Sequence, residues 1–194
     1  MKIVYNGKER ELKNGEKAID IAKELNAPKD IIVAEINGRL IDLSAEVKED
    51  GEIKFFTFKD KTGKKVFWHS SAHVLATAVK RLYPEAVLGI GPAIDEGFYY
   101  DIYNLKVGDN DLEKIEKEME KITKENFVFE RKDVSKEEAK ELLKDNKFKL
   151  EIIEGVNGNL SIYKDGEFYD LCRGPLFSLC YWIFSYSLIQ IVSV

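Results

Sequence analysis

The first 60 residues alternate short apolar runs with turn signals. Two predicted strands, Met1–Tyr5 and Glu9–Leu12, flank Asn6-Gly7, a dipeptide typical of a two-residue β-hairpin turn. Residues 17–25 then place their apolar side chains at helical spacing. Three further strands are predicted at Ile31–Ile36, Leu40–Leu43 and Ile53–Phe58. A hairpin, one helix and then more strands predict an α+β domain in the order of a β-grasp fold.

A second pattern begins after this domain. Residues 61–67 are polar and contain a glycine, so we interpret them as a link to another domain. Helical spacing predicts a helix from Trp68 to about Tyr83, where Pro84 would end it. Three glycines and a proline then indicate a loop over residues 89–97, followed by a strand at Phe98–Ile102.

The next 70 residues predict two helices and three strands. Residues 111–126 have apolar positions three and four apart, with charges between them. Ser135-x-x-Glu138 is a capping box for a helix that continues to Asp145. A three-stranded meander is predicted from Lys149–Ile153, Leu160–Lys164 and Glu167–Leu171. The second domain is therefore also predicted to be α+β.

Residues 176–194 carry no charge, which sets them apart from the rest of the chain. Their 19 residues reach the length of a membrane span. Serines and a glutamine interrupt the segment, however, and no basic flank follows it. We therefore expect no membrane anchor and interpret this segment as a tail foreign to the preceding domain.

Net charge and cysteine use limit the class of protein. With a net charge of −5, the chain has no overall attraction for phosphates, so nucleic acid would need a local basic patch. Two cysteines in 194 residues do not suggest a disulfide scaffold. The N-terminus lacks the apolar core of a signal peptide, so we expect a cytoplasmic protein with a reduced thiol at Cys172.

The only two histidines, His69 and His73, lie four residues apart on the predicted helix. Side chains at this spacing share one face, about 6 Å apart, where imidazoles can chelate one metal ion or flank one water molecule. Cys172, before a Gly-Pro turn, could add a third zinc ligand. The structural alternatives are that the two histidines are simply polar positions on the helix and that Cys172 is a small buried thiol.

Three other features are open to both structural and functional interpretations. Gly89-x-Gly91 does not open a helix, so a turn is favoured over a dinucleotide site. Tyr99 and Tyr100 should face opposite sides, leaving one of them to line a cleft. Lys80 and Arg81 are expected to be solvated helix residues, with phosphate contact as the alternative.

Taken together, these segments resemble the threonyl-tRNA synthetase family, bacterial type. Residues 1–61 resemble its TGS domain, a ubiquitin-like (β-grasp) module. The segment HSSAHVLATAVKRLYPEAVLGIGPAIDEGFYYD (69–101) and the signature YDLCRGP (169–175) resemble its N-terminal editing domain. The H-x-x-x-H motif alone also occurs in alanyl-tRNA synthetase editing domains. The implied organisation is a TGS domain at 1–61, an editing domain at 62–175 and a non-family tail at 176–194.

The resemblance implies hydrolysis of seryl-tRNA(Thr) as a proofreading step. The residues that carry over as catalytic are His69, His73, Cys172, Lys149 and Asp170, and Tyr100 carries over as substrate-binding. Leu176 stands where the family has its fourth site residue, a histidine. Zinc bound by His69, His73 and Cys172 is therefore not expected, and editing should need no cofactor.

The resemblance also implies what lies outside these segments. ATP, ligase-site zinc and homodimer formation belong to downstream domains of the family, so we expect this chain by itself not to charge tRNA. Neither DNA nor a membrane is an expected partner. Two alternatives remain open: an inactive TGS-containing module that binds RNA or regulates a partner, and a zinc-dependent hydrolase.

Overall fold

A computed structural model describes residues 1–125 and 127–177. These residues divide into two units, one made of Met1–Trp68 with residues 174–177, the other of His69–Arg173. The division falls within a long helix rather than at the boundary predicted at 61/62. Each unit has its own sheet.

The first unit has a mixed five-stranded sheet and one helix. Its elements are β1 (Lys2–Tyr5), β2 (Lys8–Glu11), α1 (Ala18–Glu24), β3 (Ile31–Ile36), β4 (Arg39–Ile41) and β5 (Gly51–Thr57). The strand order is β2-β1-β5-β3-β4, with β1 and β5 parallel. This arrangement confirms the predicted β-grasp fold. The fourth and fifth strands begin one and two residues before their predicted starts.

The local sequence explains this fold. Asn6 and Gly7 have φ values of 49° and 77°, so the turn between β1 and β2 has the left-handed backbone that a tight hairpin requires. Helix α1 buries Ala18, Ile21 and Ala22, which lie on one face. The strands contribute Ile3, Val33 and Ile53 to the same core, each with no exposed surface.

Helix α2 (Lys61–Leu82) begins seven residues earlier than predicted. The predicted link at residues 61–67 is therefore wrong, because these residues form the first two turns of the helix. A Cβ atom at Gly63 would lie 2.0 Å from the carbonyl oxygen of Thr57. The glycine in this segment thus permits close packing against the end of β5 and does not mark a flexible linker.

Four very short strands follow α2: β6 (Val87–Leu88), β7 (Ala93–Ile94), β8 (Gly97–Phe98) and β9 (Ile102–Tyr103). They pair as β6 with β9 and β7 with β8. The single strand predicted at Phe98–Ile102 is wrong. Residues 99–101 pass between two separate ladders, which leaves Tyr100 on a loop.

The remaining elements are α3 (Asp109–Glu125), β10 (Glu130–Val134), α4 (Lys136–Leu142), α5 (Lys147–Gly155), β11 (Leu160–Asp165) and β12 (Phe168–Leu171). The three strands form an antiparallel sheet in the order β10-β11-β12. Ser135 caps α4 by accepting a hydrogen bond from the Glu138 N–H, which confirms the predicted N-cap, although α4 ends three residues earlier than predicted.

The strand predicted at Lys149–Ile153 is wrong, because these residues belong to α5. Asn146 caps this helix, since its side chain accepts a hydrogen bond from the Lys149 N–H. Lys149 and Ile153 are four residues apart and are both buried, so they lie on the same inward face. The first strand of the meander is instead β10, which the sequence analysis did not predict.

No helix in the two described ranges is long and apolar enough to cross a membrane. The uncharged tail lies outside those ranges except for Leu176 and Phe177, which are both buried. Cys180 also lies outside them.

Candidate functional site

The two histidines lie on the most buried part of α2. All ten residues from 70 to 79 are buried, and most of them are small, which allows neighbouring elements to approach the helix closely. His73 is 4% exposed, whereas His69 is half-buried. Their ring centroids lie 5.3 Å apart, at the separation that the four-residue spacing predicted. The ring of Phe129 contacts His73 edge-on at 6.0 Å between centroids.

Cys172 follows directly after β12 and lies beside the histidine pair. Its N–H donates to the Ser161 carbonyl oxygen, and the Ser161 hydroxyl donates to the Cys172 carbonyl oxygen. These two bonds extend the pairing of β11 with β12 and fix the position of the cysteine. Its Sγ lies 3.4 Å from Nε2 of His69, and the thiol is buried.

One ligand atom each from His69, His73 and Cys172 lies within 4.8 Å of the others. Two imidazole nitrogens and a thiolate are ligands that zinc prefers, and in a tetrahedral site they would stand about 3.5 Å apart. The donor set therefore suits zinc, and the three side chains would have to draw closer than the 4.8 Å limit to bind one ion. Leu176, where the resemblance implies a fourth site residue, offers no ligand atom. Its N–H donates to Oδ1 of Asp42 at 2.7 Å within the first unit.

The second part of the site is a buried polar network centred on Asp170. Lys149 Nζ lies 2.8 Å from Oδ1 and 2.9 Å from Oδ2 of this carboxylate. The Tyr100 hydroxyl donates to Oδ2 at 2.8 Å, and the Leu171 N–H donates to Oδ1. Three segments that are distant in the sequence, the loop after β8, helix α5 and strand β12, therefore meet at one carboxylate.

Gly91 makes room for Tyr100. A Cβ atom at residue 91 would lie 2.3 Å from Cδ2 of the Tyr100 ring, which no packed side chain tolerates. Tyr99 is 48% exposed and Tyr100 reaches Asp170, although the two tyrosines lie on a loop and not on the predicted strand. The Gly-x-Gly segment thus shapes the site by leaving space for an aromatic ring.

The two parts of the site influence each other electrostatically. Burial, followed by the charges of His69 and Lys149, holds the pKa of His73 well below its ordinary value of 6.5. Burial, followed by the Asp170 carboxylate, raises the pKa of Tyr100 well above 10, and Cys172 adds to the same shift. At neutral pH the site therefore holds a neutral imidazole and a neutral phenol beside a buried ion pair.

The structure brings together all six residues that the sequence analysis selected: His69, His73, Cys172, Lys149, Asp170 and Tyr100. Lys80 and Arg81 lie outside this site, where they make contacts within the fold. Lys80 donates to the carbonyl oxygen of Ala86, and the Arg81 guanidinium pairs with Glu125 and Glu167. Phe129 and Ser161 border the site but were not predicted, because neither belongs to a motif.

The sequences of both units are similar to those of known proteins. Residues 3–58, which hold the five strands of the first sheet except for Lys2, match the ThiS family. Over 175 residues, or 88% of this chain, the sequence is 49% identical to a threonine-tRNA ligase of Thermotoga maritima. It is 48% identical to the Clostridium tetani enzyme of that name over 177 residues and 46% identical to the Protochlamydia amoebophila enzyme over 175 residues.

These matches cover only part of each relative. The chain spans 27–28% of the length of the three ligases. The matched portion includes 87–88% of the present chain.

Proposed function

We propose, from the premise that this chain is a homologue of the N-terminal part of the threonine-tRNA ligases, that its second unit removes serine from mischarged tRNA(Thr) by hydrolysis. The observation that carries the proposal is the convergence of His73, Lys149 and Asp170 in one buried site. Ligation of threonine to tRNA is the activity named for the full-length relatives. For this chain we propose the proofreading step.

A second site is chemically useful in this setting because serine differs from threonine by one methyl group. A binding pocket can discriminate such a difference by only about 10- to 200-fold. A separate site that hydrolyses the smaller ester increases fidelity beyond that limit. The proposed substrate is therefore an aminoacyl ester on the terminal ribose of tRNA, and the products are serine and free tRNA(Thr).

The buried Asp170 carboxylate is suited to the ammonium group of the seryl ester. It already accepts from a cation, Lys149, and from a phenol, Tyr100, so its oxygens form a strong acceptor site. In the proposed complex the substrate ammonium joins this network, and the Tyr100 ring forms one wall of the amino-acid pocket. Specificity for serine over threonine then depends on the space available for the side chain.

His73 is the proposed general base. Because its pKa is held well below 6.5, its imidazole is neutral at physiological pH and can accept a proton from water. The resulting hydroxide attacks the ester carbonyl, and negative charge develops on the carbonyl oxygen. The Lys149 ammonium, whose side chain is 4% exposed, provides positive charge in a dry environment, where it stabilises that oxyanion strongly. The bond between the carbonyl carbon and the ribose oxygen then breaks, and the ribose oxygen takes the proton from His73.

Cys172 offers a second route, because His69 Nε2 lies 3.4 Å from its thiol sulfur. A histidine at this distance can deprotonate a cysteine, and the thiolate would then attack the ester carbonyl and expel the ribose oxygen, which takes the proton. Water would hydrolyse the resulting thioester and restore the thiol. The water route is favoured because it uses the buried neutral imidazole and the Lys149 charge directly. In that route Cys172 shapes the serine pocket.

The experiment compares hydrolysis of seryl-tRNA(Thr) and threonyl-tRNA(Thr) by the full chain and by three variants. We expect faster hydrolysis of the seryl ester, a loss of about 100-fold in His73→Asn, and retained activity in Cys172→Ala. Lys117→Met, at an exposed ion pair on α3, is the control and should hydrolyse at the wild-type rate. Hydrolysis no faster than in buffer would overturn the proposal, and RNA binding without hydrolysis would favour the binding-module alternative.

A further inference from the structure

Thr77, one helical turn after His73, has a hydroxyl group with two partners. Its Oγ1 lies 2.9 Å from the His73 carbonyl oxygen and 2.9 Å from Oδ2 of Asp165. Thr77 has no exposed surface and Asp165 is 1% exposed, so water does not compete for these bonds. A hydroxyl has one proton and can donate in only one of the two contacts. Since a carbonyl cannot donate, the proton on Asp165 determines which arrangement is possible.

Asp165 is poorly placed to carry a charge. Among the residues that the structure describes, its Oδ1 has no hydrogen-bond partner. Three charged groups act on it: Arg81 of α2, Glu125 of α3 and Glu167 in the turn after β11. Because Arg81 is ion-paired with both glutamates, its attraction for Asp165 is largely offset. Burial raises the pKa of Asp165 to about 6.

We propose that Asp165 is a positioning residue for His73, and that its proton sets the direction of the Thr77 hydroxyl. Protonated Asp165 donates to Thr77, which then donates to the His73 carbonyl oxygen. Ionised Asp165 instead accepts the Thr77 proton, and the bond from Thr77 Oγ1 to the carbonyl is lost. The functional consequence of this inference rests on the proposed role of His73 as a base.

The proton on Asp165 affects His73 through the geometry of helix α2. In α2 the His73 carbonyl is also the expected acceptor for the backbone N–H of residue 77, four positions later. A threonine hydroxyl that donates to the same carbonyl shares this acceptor and bends the helix slightly. Turning the hydroxyl toward Asp165 changes that bend within the turn that carries His73. The imidazole therefore shifts relative to Lys149 and Asp170 as Asp165 ionises.

Carbon NMR of the full chain tests the inference directly. The side-chain carboxyl carbon of Asp165 and the backbone carbonyl carbon of His73 are followed from pH 4.5 to 8. We expect both resonances to change with one midpoint near 6. In Asp165→Asn, whose amide can donate to Thr77 at every pH, that change in the His73 carbonyl should vanish. In Thr77→Val the two resonances should become independent.

Two results would overturn the inference. The first is a His73 carbonyl resonance that stays constant while Asp165 titrates in the wild-type chain. The second is a pH-dependent change of that resonance that persists in Asp165→Asn. The second result would assign the effect to titration of the imidazoles. Neither measurement needs catalysis, so the inference is judged separately from the proposed hydrolysis.

A kinetic measurement then tests whether the proton on Asp165 affects the reaction. Asp165→Asn imitates the protonated state, so its kcat for seryl-tRNA(Thr) should equal that of the wild type at pH 5. At pH 7.5 the two kcat values should differ by about threefold, the effect of one altered hydrogen bond. Equal kcat values at both pH values would show that Asp165 does not position His73 for the reaction.

Discussion

The ammonium nitrogen of Lys149 lies 2.8 Å from Oδ1 of Asp170, and the two side chains are only 4% and 6% exposed. Such a pair is desolvated on both sides, so its attraction is largely offset by the loss of water. Removing one partner alone leaves a buried charge without compensation. The pair therefore links the stability of the second unit to the chemistry of its site.

Lys149→Met should lower the free energy of unfolding by about 3–5 kcal/mol, because the Asp170 carboxylate is left buried and unpaired. Adding Asp170→Asn removes that charge and keeps an acceptor for Tyr100, so the double variant should recover most of the loss. Urea unfolding of both variants measures the difference. Lys117→Met breaks an exposed ion pair with Glu113 and should leave the transition unchanged. A double variant as unstable as Lys149→Met would contradict the explanation.

Gly91→Ala should impair the site without altering any polar group in it. The new methyl group would meet the Tyr100 ring at 2.3 Å and displace its hydroxyl from Asp170. Because displacements of about 1 Å can slow an enzyme 100-fold, we expect a loss of about 10- to 100-fold in hydrolysis of seryl-tRNA(Thr). Gly108→Ala is the matched control, since an added Cβ would have no atom of the described residues beyond its chain neighbours within 4 Å. Equal rates for both variants would show that Tyr100 does not need this position.

The sequence points to candidate site residues, but it does not give every element that carries them. His69 and His73 follow from helical spacing, and Cys172 follows from its motif. Lys149 was predicted on a strand, whereas it lies on helix α5. The run KLEII has β-branched residues and suits either a strand or a short helix. The side-chain cap from Asn146 favours the helix, and only the folded unit shows that Lys149 and Ile153 share its inner face.

Two other differences have equally local causes. Strand β10 was not predicted because its sequence ERKDV has four exposed residues and no apolar alternation. It forms through pairing with β11, which is a tertiary contact. Gly63 and Gly91 both resemble turn residues in the sequence, yet a side chain at either position would collide with a neighbour. Close approach of this kind cannot be distinguished from turn propensity in a single sequence.

The His73 imidazole should titrate well below 6.5, which is measured from its ring proton resonances. Between that lowered pKa and 6.5 the unfolded chain binds a proton at His73 and the folded chain does not. Above pH 6.5 the protonation of His73 therefore does not reduce the free energy of unfolding. That free energy decreases as the pH falls from 6.5 toward the lowered pKa. His73→Asn should remove this contribution from the pH dependence of unfolding. An imidazole that titrates at 6.5 or above would contradict the assignment of His73 as a buried neutral base.

Metal binding and base catalysis compete for the same lone pair on His73. The three side chains offer ligand atoms that zinc prefers, yet the proposed reaction needs the free imidazole to accept a proton from water. We therefore expect hydrolysis of seryl-tRNA(Thr) to be unchanged after dialysis against a chelator. Excess Zn²⁺ should inhibit the wild-type chain, and Cys172→Ala should weaken that inhibition because one ligand is lost. Loss of hydrolysis on chelation, with recovery on adding Zn²⁺, would instead favour a zinc-dependent hydrolase, in which His69, His73 and Cys172 hold the metal and His73 is not the base.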